Sequence, residues 1–423
     1  MEVIRIKNLC GMFLLSGWTL LIFSFYLNST KGLHWISSLF LIGLSFLLFR
    51  YRCIDFNRTR SEIYPLIAWF FLLLPYCLIS PFLIASLEAF YLNYVTNFIL
   101  FFILFSAVYY QWTNEERLWY IFSLISTSII FYYLFIVFFK CSYNTTCFLS
   151  SSFNYIQDAH LRGLVVIVPP LVLIFFVTLG FSFSTFKLMR FMNILISILA
   201  LFFLIYIGRR AAIIGIIFSI LLLPIIIPKR KVIIFSLVFV MFLTICLSLF
   251  LLTPYGKTIL YKSRDNLNYL LSTNQEDWAK AGSFGQRLYI WPIYLKKSLE
   301  EPFAGTGLGR RVQKRVLSET NKKALTLEHA HNLFLNIALQ AGWHNALFFL
   351  FFYFITLRKG YNLIRISNGN PYYTSLFLFL IAFFVLSMFE GMEEGTRFSP
   401  FWIAGGLIWG YEKRLRQQSS LSS

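Results

Sequence analysis

The chain has 423 residues, of which 58% are hydrophobic, 20% aromatic and only 13% charged, far from the roughly 25% charged residues of soluble domains. Apolar runs long enough to cross a bilayer core of about 30 Å recur along it, so the composition points to one polytopic, all-α integral membrane protein and excludes a string of soluble domains. The net charge of +19 does not mark a nucleic-acid binder, because many Lys and Arg residues fall in short loops between apolar runs, where they set topology.

In chain order, candidate membrane helices lie near 10–27, 33–49, 63–85, 90–111, 118–139, 163–181, 188–207, 211–227, 232–253, 333–357, 371–389 and 399–412, about twelve spans. The segment 1–8 is basic and the run after it is long enough to remain as a span, which argues against a cleaved leader. Basic loops contain Arg5 and Lys7; Arg50, Arg52, Arg58 and Arg60; Lys187 and Arg190; Lys229, Arg230 and Lys231; Arg358, Lys359 and Arg365; and Lys413, Arg414 and Arg416. They alternate as the positive-inside rule requires if both termini are cytoplasmic. The loop at 111–117 is weaker, since Arg117 stands beside Glu115 and Glu116. The expected division is 1–253 for spans one to nine, 254–332 for one large outward loop, and 333–423 for spans ten to twelve and a cytoplasmic tail. Long loops cross regardless of charge, so the basic character of the large loop does not conflict with an outward position.

Six cysteines are spread thinly. Cys10, Cys53, Cys77 and Cys246 lack metal-ligand spacing. Cys141 and Cys147 share one loop, where they form a disulfide in an oxidising compartment or remain two thiols. The Ser-rich end at 419–423 reads as disordered.

Arg209 and Arg210 stand between two apolar runs with almost no loop around them. A cation near membrane depth costs roughly 2.5–3.5 kcal/mol on insertion scales, so such residues either line a polar cavity or snorkel to headgroups.

Within the loop, 258–271 has the pattern of an amphipathic helix on the membrane surface, and 274–282 reads as a polar connection. From 286 to 299, Leu288, Trp291, Leu295 and Leu299 recur at three- and four-residue steps, which predicts a second helix kinked or ended early by Pro292. Arg287 and Trp291 share a face of that helix, and the planar fork of an arginine suits a phosphate. Gly305-Thr306-Gly307-Leu308-Gly309 lacks the lysine and hydroxyl of a P-loop and reads as a tight turn. Arg310, Arg311, Lys314 and Arg315 follow as a basic cluster able to meet an anionic lipid or saccharide. His329 and His331 close the loop. No Cys or Asp nearby completes a metal site with them, and Glu276-Asp277, Glu300-Glu301 and Glu393-Glu394 diverge on a helix, so no metal is expected. A histidine is a natural general base near neutral pH.

With these residues in hand, the chain resembles the O-antigen ligase family, membrane glycosyltransferases that move a finished polysaccharide from a lipid diphosphate to lipopolysaccharide core. A His followed by Asn, nine residues and a Gly appears as His331-Asn332, 333–341 and Gly342; a second glycine expected three places later is Asn345. Gly285-Gln286-Arg287 matches a Gly-x-Arg setting, and Arg210-Ala211 an Arg-Ala setting in which Arg209 is the neighbouring alternative. The resemblance implies an all-α fold of about twelve spans with helices in one periplasmic loop, similar to GT-C glycosyltransferases. It further implies a bacterial inner-membrane location with the site facing the periplasm, an undecaprenyl-diphosphate-linked glycan donor, a lipid A-core acceptor, surrounding membrane lipids and no cofactor. Arg210 and Arg287 would bind diphosphate and His331 would act as base in an inverting transfer. His329 would support it, with Arg209, Asn332, Trp291, Arg310 and Arg311 as further substrate-binding residues. An O-antigen polymerase using the same donor is the nearest alternative. A polysaccharide flippase or transporter is another, although paired internal repeats are not visible.

Overall fold

A computed structural model describes residues 56–111, 119, 123–124, 126–131, 168–182, 187–206, 209–309, 312–313, 330–391 and 395–422. The candidate spans at 10–27 and 33–49, most of 118–139, and Cys141 and Cys147 lie outside these residues.

The described residues are helical throughout, without a strand. They form α1 (Phe56–Leu78), α2 (Leu83–Phe90), a π-helical turn (Tyr91–Val95), α3 (Thr96–Tyr109), α4 (Val168–Phe181), α5 (Lys187–Tyr206), α6 (Arg210–Ile226), α7 (Arg230–Leu252), α8 (Pro254–Ser272), a 3-10 turn (Gln275–Lys280), α9 (Gly282–Glu300), α10 (Leu333–Ala341), α11 (Trp343–Ile366), α12 (Pro371–Phe389) and α13 (Gly395–Ser422). Among the described residues, four continuous segments are long and apolar enough to cross a membrane, at Leu83–Tyr109, Val232–Leu249, Trp343–Ile366 and Pro371–Phe389, and shorter apolar helices accompany them. This is the make-up of an all-α membrane protein.

Several boundaries differ from the sequence reading for visible reasons. The run at 333–357 is two helices, because Gly342 adopts φ +82° and closes α10 while opening α11. Helix α8 starts at Pro254 because Thr253 caps it, its side chain accepting from Gly256 N at 3.0 Å, with proline in the first turn. Helix α9 runs through Pro292 to Glu300 instead of ending early. The Ser-rich end continues α13 as far as Ser422 instead of leaving the helix at 419.

Packing is tightest where side chains vanish. Helix α13 lies along α3, and a Cβ on Gly406 or Gly410 would meet Phe101 O at 2.6 Å or Phe105 O at 2.8 Å. These glycines are four residues apart, the small-residue spacing that lets membrane helices touch. Beside them, Trp69, Phe349, Phe352, Phe398, Phe401 and Trp402 form a buried aromatic block with offset and edge contacts. Helix α6 packs on α12, with Gly215 against Ala382 O. That pair brings the start of α6 beside the end of α12.

Candidate functional site at the end of helix α12

Helix α12 ends at Phe389, and Glu390 turns the backbone out of the helix with φ −139° and ψ 145°. The last carbonyls of a helix have no intrahelical donor and gather partial negative charge. Here they receive donors from the loop: Arg287 Nε donates to Phe389 O at 3.0 Å and Asn332 Nδ2 to Met388 O at 3.2 Å. Trp291, one turn after Arg287, places its ring 6.4 Å from Phe389.

The buried Glu390 carboxylate then collects cations from separate elements. Arg287 Nη2 donates to Oε1 at 3.2 Å and Arg209 Nη1 to the same oxygen at 3.4 Å, while His331 Nδ1 stands 3.5 Å from Oε2. Arg397 is buried, donates to Gly391 O at 3.4 Å and adds its charge to the field at Arg209. Burial alone would raise a carboxyl; the His331 contact and the charges of Arg209 and Arg287 outweigh it and hold Glu390 down at about 2. Burial lowers the basicity of Arg209 and Arg287, and Glu390 opposes that in both. Guanidinium stays protonated in proteins, so one carboxylate among three arginines leaves positive charge over.

The approach to His331 is fixed residue by residue. Ala330 is buried, its N–H donating to Asn336 Oδ1 at 2.9 Å and its carbonyl accepting from Trp291 Nε1 at 2.7 Å. His331 itself has φ +51°, left-handed backbone that few residues with a Cβ adopt. Asn332 then caps α10 by accepting from Leu335 N at 3.0 Å. Gly285 is required because a Cβ there would meet Trp278 O at 2.3 Å; the close packing of the 3-10 turn on α9 sets the position of Arg287.

Of the residues singled out from sequence, Arg209, Arg287, Trp291, His331 and Asn332 converge on the end of α12. Arg210 points elsewhere, with Nη2 donating to Ser263 Oγ on α8 at 2.9 Å from an exposed position. Of the two neighbouring arginines, between which the sequence leaves the functional choice open, Arg209 is the one that reaches the Glu390 carboxylate. His329, Arg310 and Arg311 lie outside the described residues. Among the described residues no three His, Cys, Asp or Glu side chains gather as a metal site.

The glycine-rich turn has a structural role. Thr306 N donates to Leu339 O at 2.9 Å, Gly307 N to Gln340 O at 3.1 Å, Leu308 N to Ser86 Oγ at 2.8 Å and Gly309 N to Gln340 Oε1 at 2.9 Å. Its N–H groups serve the protein's own acceptors.

Glu390 and Arg397 were missed by sequence reasoning. A signal was available, since Glu390 is the first charge after the apolar run at 371–389, and an ionisable group at the edge of a span is a functional candidate by default.

Buried guanidiniums around a histidine at a helix end form a positively charged site in an all-α membrane protein. Residues 195–350 match the family model described as O-antigen ligase. The matched stretch contains Arg209, Arg287, His331 and Asn332, whereas Glu390 and Arg397 lie beyond it. No curated protein matches the chain.

Proposed function

We propose that the protein is a glycosyltransferase of the O-antigen ligase type, which moves a glycan from undecaprenyl diphosphate to a sugar hydroxyl of lipid A-core at the periplasmic face of a bacterial inner membrane. The observation that carries this reading is the convergence on Glu390 of Arg209, Arg287 and His331, three residues inside the stretch matched to that family.

Arg209 and Arg287 bind the donor diphosphate, whose oxygens suit the planar, charged fork of a guanidinium. The Glu390 carboxylate beside Nδ1 favours the proton on that nitrogen, which makes Nε2 the base. Nε2 takes the proton of the acceptor hydroxyl as its oxygen bonds to the anomeric carbon. The bond from that carbon to the diphosphate oxygen breaks, and the electron pair leaves with the diphosphate. The arginines stabilise the departing charge without reorganising, the role a metal ion plays elsewhere. Single displacement inverts the anomeric configuration. The positions of Asn332 and Trp291 support orienting roles, since each ties the His331 segment to neighbouring structure.

A deletion strain tests the reaction class on a lipopolysaccharide gel. Bare core with lipid-linked polymer accumulating is the expected result; core capped by a single repeat would replace the ligase reading with a polymerase. Purified protein should transfer glycan in EDTA at an undiminished rate, and loss of activity on chelation would overturn the metal-free step.

A further inference from the structure

The end of the bundle away from Glu390 holds a second charged site, with a cavity of ≈580 Å³ lined by Glu62 of α1, by Ile355, Arg358, Lys359 and Asn362 of α11, and by the last turns of α13. Arg358 comes 15 residues after the start of α11, and Glu412 comes 15 residues after Arg397 on α13, so by helical rise both are about 22 Å from the first site.

The carboxylates here are already answered. Lys413 Nζ lies 2.6 Å from Glu62, Lys359 Nζ lies 3.1 Å from Glu412, and Arg416 also pairs with Glu412. Both lysines rest on rings, Lys359 over Trp409 and Lys413 over Tyr109, which fixes their ammonium groups. Arg358 is exposed and makes no ion pair or hydrogen bond among the described residues. Four cations around two carboxylates leave a positive cavity with a free guanidinium at its edge.

The same face of α11 is apolar on the side of Arg358 nearer the first site. Leu347, Phe351 and Phe354 are 57%, 64% and 52% exposed, and with Arg358 they recur at steps of four, three and four, one helical stripe. An acyl chain lying on that stripe delivers its headgroup phosphate to Arg358. Among the described residues, the lining holds no aromatic ring for a nucleobase to stack on.

We propose that this cavity binds the phosphate headgroup of an anionic phospholipid, with Arg358 as the residue that recognises charge and the stripe from Leu347 to Phe354 as the track for a chain. The site is independent of the transfer reaction proposed for the Glu390 end. Its role is to anchor α11 and α13 at the membrane surface opposite that end.

The test uses full-length protein in neutral detergent with fluorescent phosphatidylglycerol as probe. Unlabelled phosphatidylglycerol should displace it, with phosphatidylcholine and millimolar inorganic phosphate failing to do so. Arg358→Glu should weaken binding by about fivefold or more, in line with the worth of one basic residue at an anionic surface. Arg358→Lys should keep most of it, and His331→Asn should leave it unchanged. Arg358 has no structural partner among the described residues, so a size-exclusion profile like that of wild type is expected for both charge variants. Unaltered binding by Arg358→Glu would overturn the proposal, as would equal competition by phosphatidylcholine. Competition by inorganic phosphate alone would make this a free-anion site and reject the lipid.

Discussion

Glu390 and Glu412 are both buried carboxylates held by cations, one near each end of helices that run side by side, yet their surroundings differ in kind. Glu412 meets Lys359 and Arg416, and the neighbouring Glu62 has Lys413 to itself. Glu390 faces Arg209 and Arg287, with Arg397 close by and a histidine at its other oxygen. The first arrangement is closed, apart from one exposed arginine at its rim. The second keeps surplus guanidinium charge and a titratable base in the same few ångströms. Ion pairing alone therefore does not separate the two ends; the histidine and the surplus guanidinium charge at Glu390 do.

The largest effect should come from His331→Asn, which removes the base and should lower the transfer rate by about 10²–10⁴-fold while leaving thermal stability near wild type; single-turnover assays with purified protein read this. Arg287→Ala should cost about 10²–10³-fold in rate and also lower Tm, because Phe389 O and Glu390 both lose a donor. The contrast with the other end becomes sharp in Lys359→Ala, which should lower stability by roughly 1–2 kcal/mol and leave the rate within a factor of about three. Equal losses of rate from Arg287→Ala and Lys359→Ala would end the distinction between the two carboxylates.

A smaller difference should separate Arg209→Ala from Arg210→Ala. One charge-assisted contact is worth about 1.5–3 kcal/mol, so loss of Arg209 should slow transfer tenfold or more, whereas Arg210 donates to Ser263 from an exposed position and its loss should be mild. The reverse order would return the diphosphate role to Arg210.

The smallest effect is in pH. Glu390 is held at about 2 against an ordinary value of 4.5, so its contribution to stability is complete above the ordinary value and is lost as pH falls through that range toward 2. Thermal melts between pH 5 and 3 should show a decline in wild type that is shallower in Glu390→Gln. Identical slopes would remove Glu390 as the carboxylate that organises the site.

Local chemistry was legible in the sequence and long-range convergence was not. The 3.6-residue stripe announced α9, and the pairing of Arg287 with Trp291 on one face followed from it. The helix break at Gly342 was hidden inside an apolar run, because hydrophobicity carries no information about a single left-handed φ. Arg209 and Arg210 differ only in which way a helix begins: Arg209 is the residue before α6, outside the helical turn, and that alone swings it to Glu390. The glycine-rich segment reads locally as a turn, while its acceptors on Ser86, Leu339 and Gln340, all 30 or more residues away, are not visible in the sequence. Glu390 is a lone carboxylate in the sequence, and it acquires meaning only when distant arginines are brought to it.

The left-handed backbone at His331 has a practical consequence for trapping the enzyme with its substrates. Alanine there removes the base but also imposes a strained φ without compensation, and a β-branched residue would be worse. Asparagine tolerates that conformation through local hydrogen bonding, so His331→Asn is the substitution expected to silence the proposed proton transfer while keeping the turn between Ala330 and the cap at Asn332. A protein so altered should hold donor and acceptor together long enough to be imaged.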